Sequence, residues 1–122
     1  MSQNIRVCKD LMNSSQLYKG SLTTIILKLL EENGRMYGYE ITQKVKQMTQ
    51  GDVAINEGAL YPALHKLEAE GSLTVTVEPV GNRLRKYYSI TPTGQKVAVD
   101  RMAEFEAFLA NMQLLLNPKP AF

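Results

Sequence analysis

The sequence of 122 residues predicts a mainly α fold with one small β-hairpin. Three observations carry that reading. The first half holds runs of apolar residues at helical spacing, the middle holds two short alternating runs around a cluster of turn formers, and the end holds a heptad-spaced stripe. The length fits one domain with one core. A composition of 44% hydrophobic and 21% charged residues is that of an ordinary globular chain, which excludes disordered and collagen-like classes.

Residues 1–17 mix polar residues with Ile5, Val7, Leu11 and Met12 over too short a span to set a period, and are read as an N-terminal segment compatible with a short helix. Next, Leu22, Ile25, Ile26, Leu29 and Leu30 form an amphipathic stripe, with Ser21 placed to cap the start and Gly34 to stop the helix after Asn33. A second helix begins near Tyr37 and turns Ile41, Val45 and Met48 inward before Gly51 and Asp52 break it.

The third helix runs from about Glu57 to Glu70, capped by Asn56 and stopped by Gly71, with Leu60, Ala63, Leu64 and Leu67 on its apolar face. Helical projection puts Gly58, Pro62, His65 and Ala69 on the opposite face, with Tyr61 and Lys66 at its margins. Pro62 leaves two alternatives: a regular helix starting nearer Ala59, or a distorted first turn.

The period then falls to two residues. Leu73, Val75 and Val77 alternate with Thr74, Thr76 and Glu78, a second alternating run spans Arg83 to Ile90, and Pro79-Val80-Gly81-Asn82 between them completes a two-stranded hairpin. Thr91-Pro92 opens a last helix that continues to about Leu116, where Asn117-Pro118 ends it. Helix, helix, helix and hairpin together are the order of a winged helix-turn-helix, assigned to residues 18–91, with a C-terminal dimerisation helix over 92–116 and a tail over 117–122.

The residues themselves are familiar. Tyr37-Gly38-Tyr39-Glu40-Ile41, the run from Gly58-Ala59-Leu60-Tyr61-Pro62 through Glu70-Gly71, and the run from Arg85-Lys86-Tyr87-Tyr88 through Thr93-Gly94 resemble the PadR family of bacterial transcriptional regulators. The resemblance extends from Leu17 to Gly94, and the single short helix after it is similar to the subgroup with a short C-terminal helix. It implies a homodimeric winged-helix repressor, usually one that senses a small molecule, with the C-terminal helix joining the protomers; the lack of an apolar span or secretory signal leads us to expect a cytoplasmic protein. Phenolic acids and multidrug compounds are the ligands the resemblance brings with it. This chain has no tryptophan, on which some multidrug-sensing members stack their ligands.

Double-stranded DNA is accordingly the expected partner. Gly58, Pro62, His65 and Ala69 form a bare strip suited to close approach to a major groove, and at its margins Tyr61 can donate to a phosphate and Lys66 can neutralise one. His65 serves equally as a phosphate or base-edge contact or as a plain surface residue. In the hairpin, Arg83, Arg85 and Lys86 fall within four residues. They suit the DNA backbone or minor groove, although cations on an exposed strand also protect an edge. Arg83 and Arg85 rank ahead of Lys86, because Lys86 alternates onto the same face as Tyr88 and Ile90. Tyr37 is assigned in part to function at the second helix's N-terminus, and Tyr39 in part to packing.

Along the last helix, Ala98, Met102, Phe105, Leu109, Met112 and Leu116 are spaced as an a/d seam, widened by Phe108 and Leu115. Leaving such a stripe in water forfeits roughly 10 kcal/mol, so a second copy of the chain is the expected cover. Met102, Phe105 and Phe108 serve two readings, a dry dimer core or a cavity for a small apolar or aromatic effector.

Other classes find little support. One cysteine, Cys8, and one histidine, His65, provide neither a disulfide nor a Cys/His metal site. No catalytic group, cofactor or metal is expected, and no apolar run is long enough for a membrane span. The rival reading is a winged-helix module that binds protein and never DNA.

Overall fold

The computed structural model describes residues 20–118. Within them the elements run α1 (Leu22–Asn33), β1 (Met36–Tyr37), α2 (Gly38–Met48), α3 (Glu57–Ala69), β2 (Leu73–Val80), β3 (Arg83–Ile90) and α4 (Pro92–Leu116). The N-terminal segment 1–17 with Cys8, and the last four residues of the tail, lie outside the described residues.

Helix α1 is the centre of the core. It touches α3 and β3 on one side and α4 on another, so Leu27, which stands off the expected stripe, is as fully buried as Ile26 and Leu30. At the start of α2 the Glu40 carboxylate accepts a hydrogen bond from the Tyr37 backbone N–H at 3.0 Å, satisfying a donor that the first turn cannot. Ile41 and Val45 face inward as expected, but Met48 does not. It is 57% exposed, because the helix runs past the edge of the core in its last turn and the apolar period continues with nothing opposite it.

The question over Pro62 is resolved at Asn56, whose side-chain oxygen accepts from the Ala59 N–H at 2.8 Å. Helix α3 therefore begins at Glu57 and contains Pro62 within it. The bond that Pro62 cannot donate would have gone to the carbonyl of Gly58, an exposed residue that water can reach. Beyond Glu70 the chain leaves the helix at Gly71 (φ +83°), and the Ser72 N–H bonds the Leu67 carbonyl at 2.9 Å, a turn that needs the left-handed backbone glycine permits.

The sheet has three strands where a two-stranded hairpin was expected. Strands β2 and β3 pair from Leu73↔Ile90 to Val80↔Arg83, leaving Gly81-Asn82 as a two-residue turn with Gly81 at φ +59°, the position where a II′ turn takes glycine. The extra strand is β1, whose Met36 and Tyr37 pair with Tyr88 and Tyr87 to give the order β1-β3-β2. Two residues have no measurable period, so only the register with a distant strand defines them. Pro79 falls on β2, an edge, where its missing N–H breaks no ladder.

Helix α4 is fastened at its start. The Thr91 hydroxyl donates to the Gly71 carbonyl at 2.7 Å and accepts from the Gly94 N–H at 2.9 Å, joining the end of α3 to the first turn of α4. Ala98, expected in the dimer seam, is instead 1% exposed within this single chain, a small side chain in the protomer's own core. One turn on, the Arg101 guanidinium bonds the Thr23 hydroxyl of α1 and lies 4.0 Å from the Glu70 carboxylate. From Phe108 onward the helix keeps its apolar side chains largely uncovered. Among the described residues no helix is long and apolar enough to cross a membrane.

Candidate nucleic-acid interface

The outer side of α3 is as bare as its sequence implied: Gly58, Pro62, His65, Lys66 and Ala69 are all exposed. Tyr61 is half-buried, and its ring lies on Gly38, where an added Cβ would stand 2.5 Å from the Tyr61 hydroxyl oxygen. That contact seats the start of α3 against the start of α2. Gly58 is different, since a Cβ there would meet only the Asn56 side chain, at 3.4 Å. Gly58→Ala is therefore expected to stabilise the fold by about 0.5 kcal/mol through helix propensity. If this face meets DNA, the same change weakens binding, and thermal unfolding read beside a DNA titration separates the two effects.

On the wing, Arg83 and Lys86 are exposed and Arg85 is half-buried. The cover over Arg85 is aromatic. Its guanidinium lies 4.0 Å over the Tyr37 ring, Tyr37 meets Tyr87 edge-on at 5.6 Å, and Arg35 lies 4.0 Å over the Tyr87 ring. These four side chains form a cation–aromatic ladder on one face of the sheet. Arg35 also reaches Glu78 on β2 with both terminal guanidinium nitrogens, one of them at 3.0 Å. That bond holds the Glu78 carboxyl below its ordinary value and raises Arg35, while a side-chain hydrogen bond with Tyr87 raises Arg85. Beneath the sheet, burial pushes the Tyr88 phenol up.

A groove of about 720 Å³ runs between the wing and the N-termini of α2 and α3, lined among others by Tyr37, Tyr39, Tyr61, Arg83, Arg85 and Lys86. It gathers Tyr37 and Tyr61 with all three wing cations, whereas Pro62, His65 and Lys66 continue along α3 beside it. Of the two tyrosines at the start of α2, Tyr37 lines the groove, and the packing role expected in part of Tyr39 is corrected. Tyr37 is half-buried because it belongs to the sheet, and Tyr39, in the first turn of α2, is 59% exposed. Sequence reasoning missed Arg35 and Tyr87. Their only signal was that Arg35 alternates with Tyr37 as Arg85 does with Tyr87, and it acquires meaning once the register of β1 on β3 is known.

The seam residues divide along α4. Met102, Phe105 and Met112 are half-buried, while Phe108 (52%), Leu109 (48%), Leu115 (75%) and Leu116 (71%) are exposed. Phe105 and Phe108 stack with centroids 6.1 Å apart and planes at 21°. Among the described residues no group of His, Cys, Asp and Glu could hold a metal ion.

Three helices presenting an exposed strip beside a cationic β-wing define the winged helix-turn-helix class of DNA-binding regulators. The chain belongs to the PadR-like family of transcriptional regulators, whose family profile matches residues 26–100. An uncharacterized protein of Lysinibacillus sphaericus is 34% identical over 95 residues, which are 77% of this chain and 86% of that one. The transcriptional regulator Rv3488 of Mycobacterium tuberculosis is 33% identical over 63 residues, 52% of this chain and 56% of its own. Among solved structures, a transcriptional regulator from Clostridium thermocellum superposes with a TM-score of 0.73 at 35% identity, covering 87% of this chain and 98% of that one. A PadR family regulator from Eggerthella lenta gives the same TM-score of 0.73 at 27% identity, covering 85% and 88%. The protein is a regulator of transcription, not an enzyme.

Proposed function

We propose that this protein is a homodimeric repressor that binds a palindromic operator and is released from it by a small apolar or aromatic effector. The observation that carries the reading is the exposed strip of Gly58, Pro62, His65 and Lys66 continuing into the groove beneath Arg83, Arg85 and Lys86. A major groove about 12 Å wide admits α3 through that strip, and the wing cations meet the flanking backbone or minor groove. Two such units related by a two-fold axis read two half-sites one helical turn apart, or a multiple of it.

The largely exposed apolar side of α4 supports the dimer, because Leu109, Leu115 and Leu116 are between 48% and 75% exposed. The stacked Phe105 and Phe108, with Met102 beside them, support an effector site between protomers. An effector acts only by preferring a dimer geometry whose half-site spacing no longer fits the operator.

Fluorescence anisotropy on duplex from the protein's own upstream region, against scrambled duplex and across salt concentration, tests the DNA reading. Arg83→Ala with Arg85→Ala is expected to reduce the log-log salt slope by about 1.8, as two phosphates go without a cation, and to lower affinity on both duplexes. Binding that is weak, equal on both duplexes and indifferent to the double substitution would favour a protein-binding module.

A further inference from the structure

We infer that Arg35 is a positioning residue for nucleic-acid binding: by holding Glu78 it keeps the Arg85 guanidinium without a counter-ion and available to a phosphate. The inference rests on the DNA-binding reading above.

Glu78 is the residue directly opposite Arg85 in the β2–β3 register. Directly opposed side chains in an antiparallel pair are within about 5.5 Å at Cβ, so Glu78 and Arg85 are placed to form a cross-strand ion pair. They do not, because both oxygens of Glu78 go to Arg35, which enters from the loop between α1 and β1. The other carboxylate near the ladder is Glu40, and it accepts the Tyr37 backbone N–H at the start of α2. Glu40 acts on Arg85 only through its charge at a distance, and Arg85 forms no ion pair among the described residues; its near partners are the Tyr37 ring and the Tyr87 side chain, both neutral. A guanidinium has five N–H donors, so Arg85, stacked on Tyr37 and bonded to Tyr87, still has donors in excess of these neutral partners with which to meet a phosphate. Arg35, 45% exposed but already paired, is the guard of that state and need not touch DNA.

Removing Arg35 is expected to release Glu78 onto Arg85. The full-length chain, Arg35→Ala, and Arg35→Ala with Glu78→Gln would be titrated against the duplex that the wild-type chain selects from a randomised pool. Arg35→Ala is expected to weaken binding about tenfold and to reduce the salt slope by about 0.9, the change that follows when one phosphate is no longer neutralised. The double variant is expected to recover both, because glutamine carries no charge to pair with Arg85. A weakening in Arg35→Ala that Glu78→Gln does not restore would make Arg35 a direct contact or a structural residue and overturn the inference. So would an Arg35→Ala variant that binds like wild type.

NMR titration of Glu78 keeps the inference separate from the DNA reading. If Glu78 moves to Arg85, its carboxyl stays below the ordinary range in Arg35→Ala and returns to it only in Arg35→Ala with Arg85→Gln. A wild-type chain that binds no duplex while Glu78 behaves in this way would refute the DNA reading alone. A Glu78 that relaxes to its ordinary value in Arg35→Ala would refute the transfer, whatever the DNA result.

Discussion

Gly94→Ala is expected to destabilise the domain by about 3 kcal/mol and to lower its melting temperature by on the order of 15 °C. A Cβ at this position would lie 2.1 Å from the Ser72 carbonyl oxygen and 2.8 Å from Cγ1 of Ile90. Neither neighbour can yield cheaply. The Ser72 carbonyl is backbone, is fixed by the Thr91 N–H at 3.0 Å, and belongs to a residue that is 1% exposed. Relief would have to come from lifting the first turn of α4, which also pulls the Gly94 N–H off the Thr91 hydroxyl and Ala98 out of the core. Differential scanning calorimetry checks the expectation. A shift of only a few degrees would mean that α4 can reseat without loss, and that the close packing at its start does little to hold the fold.

Leu109→Glu with Leu116→Glu is expected to convert the proposed dimer to a folded monomer. Both side chains are at least 48% exposed in the protomer, so charging them leaves its core intact. In a two-fold dimer the pair of substitutions removes four apolar side chains from one interface. At about 1.5 kcal/mol or more for each, the loss is near 6 kcal/mol, some four orders of magnitude in the dimer dissociation constant. Light scattering should report the single-chain mass while circular dichroism still reports a helical chain. A dimer that survives the change would place the interface elsewhere on the molecule.

Much of this architecture is legible in the sequence wherever a period is long enough to count. Both ends of α1 and α4 follow from apolar spacing together with Gly34, Thr91-Pro92 and Asn117. What escapes depends on distant partners. Met36 and Tyr37 are a strand only because Tyr88 and Tyr87 lie beside them, more than 40 residues along the chain. Periodicity alone also cannot say which partner covers a stripe. Ala98 and Met48 both keep the apolar rhythm, yet Ala98 is covered by its own chain while Met48 is 57% exposed. For the candidate interface, the outer face of α3 and the cations of the wing were readable because exposure and charge are local properties. The ladder that orders Arg85 was not, since Arg35 and Glu78 stand 43 residues apart and meet only after the sheet has formed.

The way α4 is attached has a mechanical meaning. Gly94, Ala98 and Arg101 clamp its first turns to α1 and to the chain just after α3, and the remainder reaches outward from that clamp. Some 15 residues beyond Arg101 give an arm near 22 Å, so a tilt of about 10° at the clamp carries the far end roughly 4 Å. The helix is a lever whose fulcrum touches the end of α3. Gearing of this kind runs both ways: a few ångströms of adjustment at the tips of α4 return to α3 as a small rotation, and in the proposed dimer a rotation of that size would set the pitch at which two reading heads meet one duplex.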